Sequence, residues 1–406
     1  MDKKFALIGK TLKHSYSKII HELLGKYSYE LVEVAPERLS SFVSSGEYDG
    51  YNVTIPYKKD IIAYLDDIDE FAGLIGAVNT VVVRNGKKKG YNTDFSGMVF
   101  ALNRAGIVVK DKSVLILGSG GTSNTARAVA NYLGAKSVKV VSRTGEINYL
   151  NCYEQSDTNI IINTTPVGMY PNNYERVLDL SRFPFLDGVL DVVYNPFLTE
   201  LLFQAKELGI KYSGGLPMLV AQAKYAMELF LDKRCKDDII ESVLDKISKT
   251  TKNIVLIGMP GSGKTTIGKN LAEILGKEFI DTDQKIVEKD GRDIPTIFSQ
   301  SGEEFFRNLE KEVLREVGKL SNKVIATGGG VVKDKENYFP LKQNGDIIWI
   351  KRTLEKLSIE NRPLSKDGEI FKLYGERKDL YLSFSDYSVD NDGDLQDVIK
   401  GVTDIL

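Results

Sequence analysis

Residues 250–266, TTKNIVLIGMPGSGKTT, constrain this chain more than any other stretch. A polar run passes into an apolar one at 254–257, then into Gly258-Met-Pro-Gly-Ser-Gly-Lys264-Thr265, then into a helical pattern over 266–275. Strand, G-x-x-x-x-G-K-[ST] loop and helix in that order let a backbone wrap around phosphate groups with its N–H groups pointing inward. Gly261, Ser262, Gly263, Lys264, Thr265 and Thr266 are therefore the expected nucleotide cradle, with Lys264 reaching the terminal phosphates and the Thr265 hydroxyl holding Mg²⁺. A chance glycine turn would not carry both flanks. Such a loop usually opens its domain, yet about 250 residues precede it here. A complete unit is expected upstream.

Length agrees, since 406 residues suit two or three ordinary domains. Hydrophobic content of 42% with 27% charged residues is that of a soluble globular chain. A net charge of −2 argues against nucleic acid as the main partner. Cys152 and Cys235 form neither a disulfide framework nor a metal-site spacing, which suits a reducing compartment. No apolar run approaches the ~20 residues of a membrane span. The opening MDKKFALIGK reads as a strand, not a signal peptide. The expectation is a cytoplasmic protein with no membrane partner.

In chain order, residues 4–9 read as a buried strand, and a hydroxyl-capped helix starts at Ser17 or Lys18. Ser15 and Ser17 alternate across Tyr16, so in an extended loop both hydroxyls face one side. Cap and ligand contact both stay open for that pair. Residues 29–34 read as a strand and 36–44 as a helix. In Gly50-Tyr-Asn-Val-Thr54-Ile-Pro-Tyr-Lys58 a strand ends in a Pro-fixed turn, and Lys58 is expected to open the next helix. A helix start is an unfavourable place for a cation, which suits proton chemistry; a solvated surface lysine is the plainer reading. Gly76-Ala-Val-Asn79-Thr80 leads into a strand at 81–84, and Gly90-Tyr-Asn-Thr-Asp94 precedes a helix that Asp94 would cap.

The pattern restarts at 113. A strand over 113–117, the loop Gly118-Ser-Gly120-Gly121 and a helix over 124–133 make a dinucleotide fingerprint of the G-x-G-G variety. After a strand at 137–141 comes Ser142-Arg143-Thr144. An acidic residue there would bind the ribose hydroxyls of NAD, whereas Arg suits the 2′-phosphate of NADP. Strands follow at 160–163, 188–192 and 211–213, then helices over 217–230 and 236–247, then a short polar linker at 248–253.

The motifs H-S-x-S, N-V-T-x-P-x-K, G-A-V-N-T, N-T-D, G-x-G-G, N-T-T-P-x-G-M, D-x-x-Y-N-P and G-G-x-x-M-L-V-x-Q-A occur in this order. Residues 1–248 thereby resemble shikimate dehydrogenase. The resemblance implies that Ser15 and Ser17 hold the substrate carboxylate and that Lys58 and Asp94 are the catalytic pair. It implies that Thr54, Asn79 and Gln222 place the ring hydroxyls, and that Gly118, Gly120 and Gly121 face the pyrophosphate. Ser142, Arg143 and Thr144 would hold the adenosine phosphate of NADP(H), with Tyr194, Gly215 and Met218 around the nicotinamide. Ser142 stands where Asn is commoner.

Beyond the phosphate loop, a strand ends in Asp281-Thr-Asp283, whose carboxylates point one way if the extended geometry persists. Arg307 and Glu310 lie one helical turn apart and read equally as a surface pair. Thr327-Gly328-Gly329-Gly330 ends a strand at 324–326, and a tryptophan strand at 347–351 leads to Asn361-Arg362-Pro363-Leu364, Arg377 and Tyr381. D-T-D, G-E-x-x-F-R-x-x-E, G-G-G and R-P-L in this order make residues 252–406 resemble shikimate kinase. The resemblance implies that Asp281 joins the Mg²⁺ site through water and that Asp283 takes the substrate hydroxyls. It implies that Arg307, Gly329, Gly330 and Arg377 grip substrate and carboxylate, and that Arg362 acts from a lid. Related kinases carry a further Arg over the adenine that is missing between 353 and 361, and Arg352 is a weak substitute.

The expected architecture is α/β throughout. A substrate domain at 1–100, joined by helices over 217–248, adjoins a Rossmann-like NADP domain at 101–216. A P-loop kinase domain with a parallel sheet follows at 254–406. The two resemblances share an intermediate: 3-dehydroshikimate would be reduced to shikimate and shikimate phosphorylated with ATP and Mg²⁺. Two rivals are a half that has become a non-catalytic module, and a quinate dehydrogenase using NAD, which Arg143 disfavours.

Overall fold

The computed structural model describes residues 3–12, 15–357 and 369–406. The chain divides into two compact units, Met1–Ile247 and Ser248–Leu406.

The first unit holds two sheets. Strands β1 (Lys4–Gly9), β2 (Ser28–Glu33), β3 (Gly50–Val53), β4 (Asp67–Ile68), β5 (Thr80–Arg84) and β6 (Lys87–Tyr91) lie in the order β2-β1-β3-β5-β6-β4. β1 is parallel to both neighbours, while β5 is antiparallel to β3 and β6. Helices α1 (Ser17–Leu24), α2 (Leu39–Ser44), α3 (Glu70–Ile75) and α4 (Thr93–Arg104) connect and follow them. The helix expected at 36–44 is a 3₁₀ turn, Pro36–Arg38, running into α2.

Strands β7 (Ser113–Leu117), β8 (Ser137–Val141), β9 (Ile160–Asn163), β10 (Gly188–Asp191) and β11 (Lys211–Ser213) form the second sheet, all parallel, in the order β11-β10-β9-β7-β8. Every residue of β7, β9 and β10 is buried, which is why these strands are apolar apart from Ser113, Asn163 and Asp191 at their ends. Helix α5 (Gly121–Tyr132) starts within the glycine loop, three residues before its expected start. After α6 (Glu200–Glu207), helix α7 (Gly215–Leu231) packs on α1, α4 and β5 of the first layer. Pro217 falls in its first turn, where a missing N–H costs nothing.

Helix α8 (Asp238–Thr251) runs four residues past its expected end, through most of the stretch read as a linker. Polarity there marks a solvated helix end, not a break. The carbonyls of Thr250 and Lys252 each accept a hydrogen bond from Lys277 Nζ at 3.0 Å.

The second unit is built on β12 (Asn253–Ile257), β13 (Glu278–Asp281), β14 (Lys323–Ala326), β15 (Gly345–Lys351) and β16 (Tyr387–Asp390), all parallel, in the order β13-β14-β12-β15-β16. Val255, Ile257, Ile347 and Trp349 enter one core and Ile254, Leu256, Ile348 and Ile350 the other. Strand alternation thus feeds two helix layers. Those layers comprise α9 (Lys264–Leu275), α10 (Thr282–Asp290), α11 (Ile294–Gly318), α12 (Tyr338–Lys342), α13 (Glu369–Phe384) and α14 (Leu395–Ile405). Among the described residues no helix is long and apolar enough to cross a membrane.

Candidate active sites

Lys58 does not open an α-helix. It lies in the turn after β3, ahead of a 3₁₀ helix, Asp60–Tyr64, so no helix dipole acts on it as expected. Asp94 is not the cap of α4 either; Asn92 is, accepting the Phe95 N–H at 3.3 Å. Asp94 is left in the first helical turn, where its Oδ2 accepts from Lys58 Nζ at 2.6 Å. The two side chains are 22% and 12% exposed, enough for a ligand to reach them and little enough to hold them still. They stand on the wall of a cavity of about 570 Å³. Thr54 and Gln222 line it beside them, and Gly120, Gly121, Tyr194, Gly215 and Met218 line it from the nucleotide-fold side.

Behind this wall Asn79 and Gln222, 143 residues apart, come within 3.4 Å. Asn79 is buried, with its Oδ1 accepting the Thr93 N–H at 2.7 Å and its Nδ2 donating to Thr93 Oγ1 at 3.1 Å. The expected alternation of Ser15 and Ser17 is absent, because Tyr16 has helical backbone angles (φ −82°, ψ −5°). Instead Ser15 Oγ accepts the Ser17 N–H at 3.2 Å, and Ser17 is buried at the start of α1. The Tyr16 ring lies 5.4 Å from that of Tyr194, a contact the sequence did not signal. His14 of H-S-x-S lies outside the described residues.

Gly118 turns the chain after β7 with φ +103°, and a Cβ there would lie 2.8 Å from Thr164 Oγ1. Gly120 and Gly121 have no neighbour within 4 Å of where a Cβ would be. The first N–H groups of α5 therefore border open space, as a pyrophosphate requires. Gly215 has a different reason: a Cβ would lie 2.1 Å from the Val192 carbonyl. Ser142, Arg143 and Thr144 follow β8, with Arg143 and Thr144 exposed, so a forked cation is available to a 2′-phosphate. These residues fit NADP(H). Beneath the site Asp191 is fully buried and accepts from Asn163 Nδ2 (3.0 Å), the Val193 N–H (3.1 Å) and Thr199 Oγ1 (2.7 Å). Burial pushes its carboxyl up to about 7.

In the second unit Gly258, Gly261 and Gly263 all have positive φ. Gly263, at φ +90°, caps α9 in the left-handed region. Lys264 Nζ donates to the Gly258 and Met259 carbonyls, both at 2.9 Å, and Thr266 is exposed in the first turn. Thr265 Oγ1 donates to Asp281 Oδ2 at 2.9 Å. That hydroxyl–carboxylate pair beside a phosphate loop fits Mg²⁺, which binds few protein oxygens and keeps waters and phosphate oxygens.

Asp281-Thr-Asp283 is not extended. Asp281 caps α10, its Oδ1 accepting the Asp283 and Gln284 N–H groups at 3.0 and 3.3 Å. Asp283 belongs to the first helical turn, so strand alternation does not align the two carboxylates. A Cβ on Gly328 would lie 2.6 Å from Asp283 Oδ1 and 3.3 Å from Glu310 Oε1.

Gly302, at φ +84°, breaks α11 at the first residue of the G-E-x-x-F-R segment. Arg307 Nη1 donates to Glu310 Oε2 at 2.8 Å, and Glu310 is 1% exposed, so this is not the surface pair that the spacing allowed. Burial pushes the Glu310 carboxyl up and Arg307 pulls it back down. Arg307 Nε and Nη2 also reach Glu303 Oε1 at 3.3 and 3.2 Å, which takes Lys333 Nζ at 2.6 Å. A Cβ on Gly330 would meet Arg307 Nη2 at 2.5 Å. The Gly329 carbonyl accepts from Arg377 Nη1 at 2.9 Å and the Tyr381 hydroxyl at 2.5 Å. Arg377 is 5% exposed and its Nε is buried without a partner, which suits an anionic ligand. Arg362 lies outside the described residues.

Sequence comparison gives each half a family. Residues 260–406 match shikimate kinase, and residues 7–81 match the shikimate dehydrogenase substrate binding domain. A shikimate dehydrogenase (NADP(+)) of Alkaliphilus oremlandii is 35% identical over 274 residues, 60% of this chain and 96% of that protein. A chorismate mutase/shikimate 5-dehydrogenase fusion protein from Clostridium acetobutylicum superposes with a TM-score of 0.58 at 33% identity, over 61% of this chain and 98% of that one. A shikimate 5-dehydrogenase from Thermus thermophilus, in complex with NADP(H) and shikimate, gives 0.55 at 29% identity, over 60% and 99%. The chain therefore belongs to the shikimate dehydrogenase family over about its first three fifths and carries a shikimate kinase domain in the remainder.

Proposed function

We propose that this chain performs two consecutive reactions on one carbon skeleton. Its first unit reduces 3-dehydroshikimate to shikimate with NADPH, and its second phosphorylates shikimate with ATP and Mg²⁺ to shikimate 3-phosphate. The observation that carries the first reading is the Lys58–Asp94 pair facing the open glycines of α5 across one cavity.

Reduction of a ring ketone needs a proton on oxygen as hydride reaches carbon, and bound NADPH supplies that hydride. Lys58 gives the proton and Asp94 holds the ammonium in place, a role worth ~10²–10⁴-fold in rate. Thr54, Asn79 and Gln222 orient the ring hydroxyls, and Ser15 and Ser17 hold the carboxylate. Gly118, Gly120 and Gly121 border the pyrophosphate, Ser142, Arg143 and Thr144 the adenosine phosphate, and Tyr194, Gly215 and Met218 the nicotinamide.

Phosphoryl transfer rests on positioning and charge neutralisation. Gly261 through Thr266 cradle the triphosphate, with Lys264 on the terminal phosphates. Thr265 and Asp281 hold Mg²⁺, which neutralises phosphate charge. Asp283 orients the attacking hydroxyl, Arg307 and Arg377 grip the carboxylate beside Gly329 and Gly330, and Arg362 steadies the transferring group. Both reactions draw on the NADPH and ATP of the cytoplasm, where we place the protein.

The test is one mixture of protein, 3-dehydroshikimate, NADPH and MgATP. Equal consumption of NADPH and appearance of shikimate 3-phosphate is expected. Accumulation of shikimate alone would overturn the kinase assignment, and no NADPH oxidation would overturn the other.

A further inference from the structure

The phosphate loop needs its N–H groups turned inward, which turns its carbonyls outward. A carbonyl in a glycine-rich turn rotates easily unless something binds it. The first two carbonyls of this loop, of Gly258 and Met259, are bound by Lys264. Those of Gly261 and Ser262 are bound by side chains from elsewhere. Asn391, just past β16, is buried and donates from Nδ2 to the Ser262 carbonyl at 2.7 Å. Arg352, just past β15, donates from Nη1 to the Gly261 carbonyl at 3.4 Å. Asn391 is itself anchored, since its N–H donates to the Lys351 carbonyl at 2.7 Å. Its amide lies so close beneath Gly263 that a Cβ there would be 2.5 Å from Nδ2.

Resting on the kinase reading above, we infer that Asn391 and Arg352 are positioning residues for the nucleotide, fixing the second half of the phosphate loop by its carbonyls. Neither is part of the glycine-lysine motif, and both come from the carboxyl ends of strands on the far side of β12. Lys264 holds the first half but is also the group that meets the terminal phosphates. Asn391 and Arg352 bind the loop from outside the motif, so they keep its N–H groups convergent before ATP arrives. The shorter, buried Asn391 contact is the stronger of the two, and the longer Arg352 contact sets the finer adjustment.

The experiment uses the full chain and steady-state kinase kinetics. Asn391→Ala is expected to raise KM for MgATP about tenfold, with KM for shikimate and the melting temperature of the kinase half little changed. Arg352→Ala is expected to raise KM for MgATP about threefold. Asn391→Thr, which still carries a donor, recovers part of the loss, whereas the near-isosteric Asn391→Asp, which has none, does not. Reduction of 3-dehydroshikimate by the same preparations stays at the wild-type rate. An unchanged KM for MgATP in Asn391→Ala would overturn the inference, as would equal rises for ATP and shikimate, or rescue by Asp. The reading beneath it fails separately, if Lys264→Ala leaves phosphorylation intact.

Discussion

The two halves reach their chemistry by opposite means. In the first, on the reading proposed above, the reacting groups are side chains: a lysine from a turn and an aspartate from the first turn of α4, 36 residues apart, meet at 2.6 Å. In the second, the proposed phosphate-binding groups are mostly backbone N–H, and side chains such as Lys264 and Asn391 hydrogen-bond the carbonyls of that backbone. A side-chain site fails when one residue is truncated. A backbone site fails when its geometry relaxes, and its losses are spread over several holding contacts.

The largest test of that contrast is separability. Lys58→Ala should cut NADPH-dependent reduction by ~10²-fold or more while leaving phosphorylation near normal. Lys264→Ala should do the reverse. Both rates are measured on each purified variant, and loss of both activities in a folded protein would sink the two-site reading.

Cofactor choice comes next. Arg143 is exposed at the end of β8 and offers a forked cation to a phosphate that NAD lacks. Losing a charged hydrogen bond costs ~1.5–3 kcal/mol, so Arg143→Ala should weaken NADP by ten- to about a hundredfold and NAD hardly at all. Equal weakening of the two would refute the assignment.

A smaller effect concerns the base. The stretch between 353 and 361 carries no Arg to stack on adenine, while the loop for the triphosphate is complete. A stacking contact of that kind is worth ~0.5–2 kcal/mol, so GTP should support phosphorylation within a few tens-fold of ATP. The comparison is kcat/KM for both nucleotides at saturating shikimate. A preference of several thousandfold would mean that another group reads the base.

The smallest effect is on stability. Buried Asp191 keeps its proton to about pH 7 in the folded chain, against an ordinary value of 3.8. The folded state thus binds more protons across that window, and stability falls as pH rises through it. Buried His21, pushed down to about 3 from 6.5, acts oppositely, and its contribution is lost as pH falls. Asp191→Asn removes only the first slope. Its melting temperature relative to the wild type should therefore climb from pH 5 to pH 8, by on the order of several °C. A constant difference across that range would show that Asp191 does not titrate there.

Much of this molecule was legible from the chain alone, for a physical reason. Fully buried parallel strands are mostly apolar, so β7, β9 and β12 announce themselves despite a polar residue at one end of each. Glycines with positive φ or no room for a Cβ, such as Gly118 and Gly263, mark their loops because no other residue fits. Polar residues near helix ends were less legible, because the same side chains serve as caps, ligands or solvated surface. Asn92 rather than Asp94 caps α4, Asp281 caps α10, and residues 248–251 continue a helix.

The order of strands, loops and helices, and with it both families, was therefore determined locally, by hydrophobic period and by glycine. What only the tertiary structure decided was which polar groups meet. Lys58 and Asp94 face each other because β3 and α4 converge at one cavity. Glu310 is buried, with the partly buried Arg307 paired to it, on the part of α11 that follows the break at Gly302. Asn391 reaches Ser262 across 129 residues because β16 and β12 end on the same edge of one parallel sheet. Hydrogen bonds of this kind leave no period in a sequence, since their geometry is set by packing far from either partner.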